Sequence, residues 1–280
     1  MRRDRPSVRH RWALYGCLLA LCGCATPAQR FTERATHLGL TREALKGGSF
    51  QHVLFAHAGQ ARHASALHLY FDGDGTPWIA PSQVAADPST RRALILDLMI
   101  EDPTPAVLLG RPCYYLTSPD PACTPQAWTV ARYSEAVVAS LAVLAAQVIR
   151  RHPHPEVTLI GYSGGGVLAM LLAPRLAGVT GVLTVAANLD TAVWTAHHAY
   201  SPLTDSLNPT EQPPLAPGIR QLHLYGGVDR NVPRTLSARF FARQPQAQSV
   251  EIPDFDHRCC WVEIWSELLA RFAAGESAAR

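Results

Sequence analysis

The sequence is poor in charge: acidic and basic residues make up 17% of its 280 positions, below the roughly 25% of an average globular chain. Hydrophobic residues reach 48%, so intrinsic disorder is excluded and there is ample apolar surface for a core. Lysine occurs once, at Lys46, a compositional bias without functional meaning. Long apolar runs are missing too. No stretch reaches 18 apolar residues, so none reads as a membrane span. There is no CxxC pair and no HExxH, so the common metal-ligand spacings are absent and no metal or cofactor is expected. The formal net charge of +3 misleads. Arg2, Arg3, Arg5, Arg9 and Arg11 crowd the first 23 residues with only Asp4 against them, and the rest of the chain holds 20 basic and 21 acidic residues. The basic excess is a targeting device, and nucleic acid is not an expected partner.

Met1 to Arg11 is a basic leader, followed by the 12-residue apolar run Trp12 to Gly23. That run is too short to cross a bilayer, which takes about 20 residues, and fits the core of a signal peptide. It ends in Leu21-Cys22-Gly23-Cys24, which resembles a bacterial lipobox with Cys24 as the lipidated residue. The frame ending at Cys22 would put bulky Leu21 beside the cleavage point. A plain secretory signal with incidental cysteines is the alternative. The expected organisation is a signal peptide over 1–23, a lipid-anchored tether with a short helical lead-in over 24–48, and one domain over 49–280. The expected location is the cell envelope, with the membrane met through the N-terminal lipid. Ala25 stands where an inner-membrane retention signal would place Asp, so the outer membrane, facing the periplasm, is the expected destination.

Export leaves Cys113, Cys123, Cys259 and Cys260 in an oxidising compartment. Cys113 and Cys123 flank a loop with Pro112, Pro119 and Pro121, and a bridge between them is the simplest pairing. Cys259 and Cys260 then form a vicinal bridge or stay as thiols. Joining each loop cysteine to one of the pair is equally legal.

Along the domain, strand-like and helix-like segments alternate. Strand candidates are His52–Ala56, Leu67–Phe71, Ala106–Leu109, Val157–Ile160, Val179–Ala186, Gln221–Tyr225 and Ser249–Ile252. Helix candidates are Tyr133–Arg151, Val167–Leu172, Thr235–Arg243 and Trp261–Ala274. This order predicts a mostly parallel sheet with helices on both faces. The stretch 189–217 reads as an irregular insertion of the kind that covers a site.

Gly161-Tyr162-Ser163-Gly164-Gly165 is G-x-S-x-G between a strand and a helix, the setting of a nucleophile elbow. Its glycines let strand and helix pack closely, and the Gly164 N–H points where an oxyanion would develop. A phosphate-binding turn is the competing reading, and it lacks both G-x-G-x-x-G and a P-loop lysine. Ser163 needs a base and an orienting acid further along the chain. His257 follows the last strand and precedes the last helix. His223 reads as packed in a strand, and His197 and His198 fall early in the insertion. Asp229 directly follows a strand in the loop beside that of His257, and Asp190, one strand earlier, is its rival. The loop Asp72-Gly73-Asp74-Gly75 follows an early strand. Gly73 or Asp74 is the second expected oxyanion donor, with both aspartates facing away or bonding within the loop.

On G161YSGG165, Y225GGVD229 and D256HRCCW261, in this order, the chain resembles the α/β-hydrolases from about residue 48 to 275. It is also similar to hydrolase-like lipoproteins of proteobacteria, which share YFDGDG, RPCYY, GYSGGG, NLD, SLNP and HRCCW. The resemblance implies the hydrolase fold and a serine mechanism acting on a small-molecule acyl substrate, an ester or related bond. A peptidase or acyltransferase would use the same residues. A binding lipoprotein on a degenerate scaffold is the rival of a different kind.

Overall fold

The computed structural model describes residues 25–57, 65–152 and 156–275. The signal segment and Cys24 lie outside the described residues. Eight strands form one sheet: β1 (Leu40–Gly47), β2 (Phe50–His57), β3 (Ala66–Phe71), β4 (Ala106–Leu109), β5 (Glu156–Tyr162), β6 (Val179–Val185), β7 (Arg220–Gly226) and β8 (Gln248–Ile252). In space they run β1-β2-β4-β3-β5-β6-β7-β8. Pairing is antiparallel between β1 and β2 and between β2 and β4, and parallel elsewhere.

The inner strands are apolar on both faces, as a covered parallel sheet requires. Alternate residues therefore feed two cores. Tyr70, Leu108, Ile160, Leu183 and Leu224 join the core under α1 (Pro27–His37), α2 (Leu94–Ile100) and α7 (Trp265–Ala274). Leu69, Phe71, Leu109, Leu159 and Val182 join the core under α3 (Glu135–Ile149), α4 (Gly164–Leu172) and α6 (Ala238–Arg243). No helix among the described residues is long and apolar enough to cross a membrane.

Two sequence readings need correction. The short helical lead-in is α1, but from there to Gly47 the chain is part of the domain and not a free tether. Thr26 and Gln29 form a capping box that starts α1. Phe31 of α1 stacks on Tyr115 with ring centroids 4.1 Å apart and meets the Phe55 edge at 5.3 Å. β1 then pairs with β2 along its whole length. Its Arg42, Glu43 and Lys46 are those of a solvated edge strand, which hid it from an apolar pattern. The insertion over 189–217 is also more regular than expected. It holds α5 (Thr191–His197) and a 3-10 turn at Pro209–Glu211. Asn208 ties both down, accepting from the N–H groups of Thr191 and Thr210 and donating to Asp190.

Of the open cysteine pairings, the structure joins Cys113 to Cys123 across a Cα separation of 5.6 Å, and Cys259 to Cys260.

If α1 belongs to the domain, Phe31→Ala removes a buried aromatic from the first core. Urea denaturation should show a loss of about 3–5 kcal/mol. An unchanged midpoint would return residues 24–48 to the status of a tether.

Candidate active site

Ser163 sits between β5 and α4 with φ 52° and ψ −124°. A non-glycine residue in this region carries strain of order 1–3 kcal/mol, so the surroundings must hold it. The Ser163 N–H donates to the Val185 carbonyl at 2.8 Å, and its own carbonyl accepts from Gly166 at 2.9 Å. The glycines around it are needed for close approach. A Cβ on Gly161 would meet the Gly165 carbonyl, and one on Gly165 would meet that of Phe71.

The β8–α7 loop brings His257 to this serine. Gly226 and Gly227 at the end of β7 let that loop lie on their backbone, where the Phe255 and Pro253 carbonyls occupy the space a Cβ would need. His257 Nδ1 lies 2.8 Å from Asp229 Oδ2, and Nε2 lies 3.1 Å from Ser163 Oγ. Asp229 Oδ1 accepts the N–H groups of Asn231 and Val232 at 2.7 and 2.9 Å. Burial pushes this carboxyl up. The hydrogen bond and charge of His257, with the two N–H groups, outweigh burial and hold it below the usual carboxylate range. The ring of Tyr162 packs against His257 with centroids 5.3 Å apart.

The rival residues are occupied elsewhere. Asp190 caps α5 through Val193, accepts from Asn208 and pairs with Arg239. His223 is buried beside Thr184, and burial lowers its ring to about 3, which keeps it neutral. His198 donates to the Asn231 carbonyl at 2.7 Å, and His197 packs against His198.

The loop after β3 lies against the serine: a Cβ on Gly73 would stand 3.4 Å from the Ser163 Cβ. Of the two donors expected here, Gly73 gives its N–H to Asp72 Oδ1 at 2.8 Å. The N–H groups of Asp74 and Gly164 have no partner among the described residues. Asp72 bonds within the loop, as expected, and accepts from Tyr115 at 2.6 Å. Burial pushes its carboxyl up to about 6, against the hydrogen bonds from Tyr115 and Gly73.

Asp74 does not face solvent. Its carboxylate packs against Gly164 and is gripped by Arg111 at 2.5 Å, Arg132 at 2.9 Å and the Tyr133 hydroxyl at 2.7 and 2.8 Å. Burial would raise it, but the two guanidiniums and Tyr133 hold it well below the usual range. Sequence reasoning missed Arg111, Arg132, Tyr133 and also Asn231, whose Nδ2 lies 3.1 Å from His257 Nε2. Arg111 falls within the RPCYY phrase of the resemblance, but nothing local assigned it a task.

Of these groups, Asp74, Arg132, Ser163, Asn231 and His257 line a cleft of about 1000 Å³. Trp78–Ala80, the first strand of a short hairpin closed by Gln83–Val84, lines it, as do Trp194 and Tyr200. No group of three or more metal-ligating side chains occurs among the described residues.

No family model and no curated protein sequence matches the chain. Solved structures do. An esterase of Pyrobaculum calidifontis is 12% identical with a TM-score of 0.58, covering 90% of this chain and 92% of its own. A Xanthomonas campestris serine hydrolase without lid is 12% identical with a TM-score of 0.55, covering 86% and 97%. A serine hydrolase homologue of Coxiella burnetii is 13% identical with a TM-score of 0.54, covering 83% and 96%. The chain has the α/β-hydrolase fold. The hydrolase fold places Ser163, Asp229 and His257 at the carboxyl ends of β5, β7 and β8, on one edge of the sheet.

The raised Asp72 has a consequence for stability. An aspartate unfolded at 3.8 and folded at about 6 stabilises fully below pH 3.8 and loses that contribution as pH rises to about 6. Asp72→Asn should therefore improve relative to the parent between pH 4 and 6 in paired urea titrations. Parallel stability curves would show that Asp72 ionises normally.

Proposed function

We propose that the protein is a serine hydrolase that cleaves an ester or related acyl bond. The hydrogen-bonded series Asp229, His257, Ser163 at a strained elbow lining the cleft carries this reading. Ser163 Oγ attacks the acyl carbon while His257 Nε2 takes its proton. Asp229 keeps the other ring proton on Nδ1 and stabilises the imidazolium. The oxyanion is received by the N–H groups of Gly164 and Asp74. Collapse expels the alcohol, which takes the proton from His257, and leaves an acyl-enzyme on Ser163. Water, deprotonated by the same ring, then releases the acid and restores the hydroxyl.

The negative charge of Asp74 beside an oxyanion would oppose this chemistry if it stood alone. Arg111 and Arg132 offset it. The esterase and serine hydrolase among the similar structures support the same class of reaction. For location, the leader and the lipobox-like Leu21–Cys24 support an envelope protein anchored by an acyl chain on Cys24, at the outer membrane facing the periplasm.

A fluorophosphonate probe should label Ser163, and Ser163→Ala should abolish labelling with little change in thermal midpoint. His257→Ala and Asp229→Asn should lower kcat on 4-nitrophenyl butyrate by about 10⁴ or more, while Asp190→Asn has a far smaller effect. Equal turnover by all four variants would leave only the binding-protein reading.

Cys24→Ala should abolish incorporation of a fatty-acid analogue and release the protein from the membrane fraction. Unchanged fractionation would remove the anchor from the proposal.

A further inference from the structure

The cleft over Ser163 does not share the charge of the rest of the chain. Beyond residue 23 acids outnumber bases by 21 to 20, yet Arg91, Arg92, Arg132 and Arg258 line the cleft against only Asp74 and Asp97. Both aspartates are already engaged: Asp97 pairs with Arg34 at 2.7 Å, and Asp74 with Arg111 and Arg132. Arg91, Arg92 and Arg258 are exposed and meet no carboxylate at ion-pair distance among the described residues. The neighbouring Asp256 spends Oδ1 on the N–H groups of Arg258 and Cys259, both at 2.7 Å.

Arg258 directly follows His257, and its positive charge acts on the Tyr162 hydroxyl. One cation therefore stands beside the ring that moves the proton. Arg91 and Arg92 precede α2 on the same cleft. A cleft lined by one sign of charge concentrates ligands of the other sign, and guanidinium forks match planar oxyanions.

The cleft also gathers exposed apolar surface. Of the five large exposed hydrophobic side chains among the described residues, Trp78, Ile79 and Tyr200 line it. Such exposed side chains are unremarkable singly but mark a binding surface when grouped.

We infer that the substrate is an amphipathic anionic ester, with an oxyanion group that meets Arg258 and the Arg91–Arg92 pair and an apolar or aromatic part that meets Trp78, Ile79 and Tyr200. This rests on the serine-hydrolase reading and adds the substrate class.

Two matched pairs test it, one with the charge in the acyl part and one with the charge in the leaving alcohol. The first compares 4-nitrophenyl hemiglutarate with 4-nitrophenyl pentanoate, and the second 3-acetoxybenzoate with its methyl ester. In at least one pair kcat/KM should favour the anion by about tenfold, the ratio one charge-assisted hydrogen bond supports. That ratio should fall toward one in about 1 M NaCl, where screening acts within about 3 Å. It should fall likewise in Arg258→Gln and in the double variant Arg91→Gln, Arg92→Gln. If Arg258→Gln does not fold, the double variant and the salt series still decide. Equal or neutral-favouring rates in both pairs, with the neutral esters turned over, would overturn this inference alone. No turnover of any of the four esters would overturn the hydrolase reading and this one with it.

Discussion

The N-terminus of α4 lies against the ends of β3 and β5 with only backbone between them. The Gly165 carbonyl fills the place of a Cβ on Gly161, and the Phe71 carbonyl fills that of a Cβ on Gly165. This contact makes the strained Ser163 conformation tolerable, because strand, helix and loop hold it from three sides. It also fixes what can stand around the serine. The β3 loop must pass within van der Waals reach of Ser163, which brings the Asp74 side chain against Gly164. The imidazole that meets the hydroxyl comes from a different segment, the loop after β8.

Close approach creates an electrostatic problem. A carboxylate at Asp74, packed against Gly164, is largely withdrawn from water beside the site of the proposed oxyanion. Burying such an ion without partners would cost several kcal/mol. Arg111 comes from the loop after β4 and Arg132 from the turn before α3, so two distant segments converge on one acid. Arg111 also donates to the Gly73 carbonyl, and the Tyr114 hydroxyl to that of Asp74. The cluster thereby clamps the main chain of the loop as well as balancing its charge. Removing one partner would leave the others buried and unpaired, which is the expensive way to break such a network.

Legibility in the sequence followed locality. β3, β4, β5 and β7 were readable because their residues are apolar on both faces and turn signals bound them. That Ser163, His257 and Asp229 meet was readable because the elbow is a local motif and topology orders the other two behind it. β1 was missed, since an edge strand with Arg42, Glu43 and Lys46 has no apolar pattern to show. α5 was missed because Asp190, suitable by position for an orienting acid, instead starts that helix. Arg111, Arg132 and Tyr133 have meaning only through Asp74, from which they lie 37 to 59 residues away in sequence. No window of the chain contains that relation.

Asn231 shows how the two sides of the cleft become one unit. Its N–H is held by Asp229, its carbonyl accepts from Trp194 at 3.0 Å and His198 at 2.7 Å, and its amide reaches His257 Nε2 at 3.1 Å. His198 in turn stacks on Tyr200 with ring centroids 5.0 Å apart. Trp194 of α5 and His198 just after it are therefore tied, through one asparagine, to both Asp229 and His257. That amide and the Ser163 hydroxyl meet the same ring nitrogen, so Nε2 faces two polar partners at once.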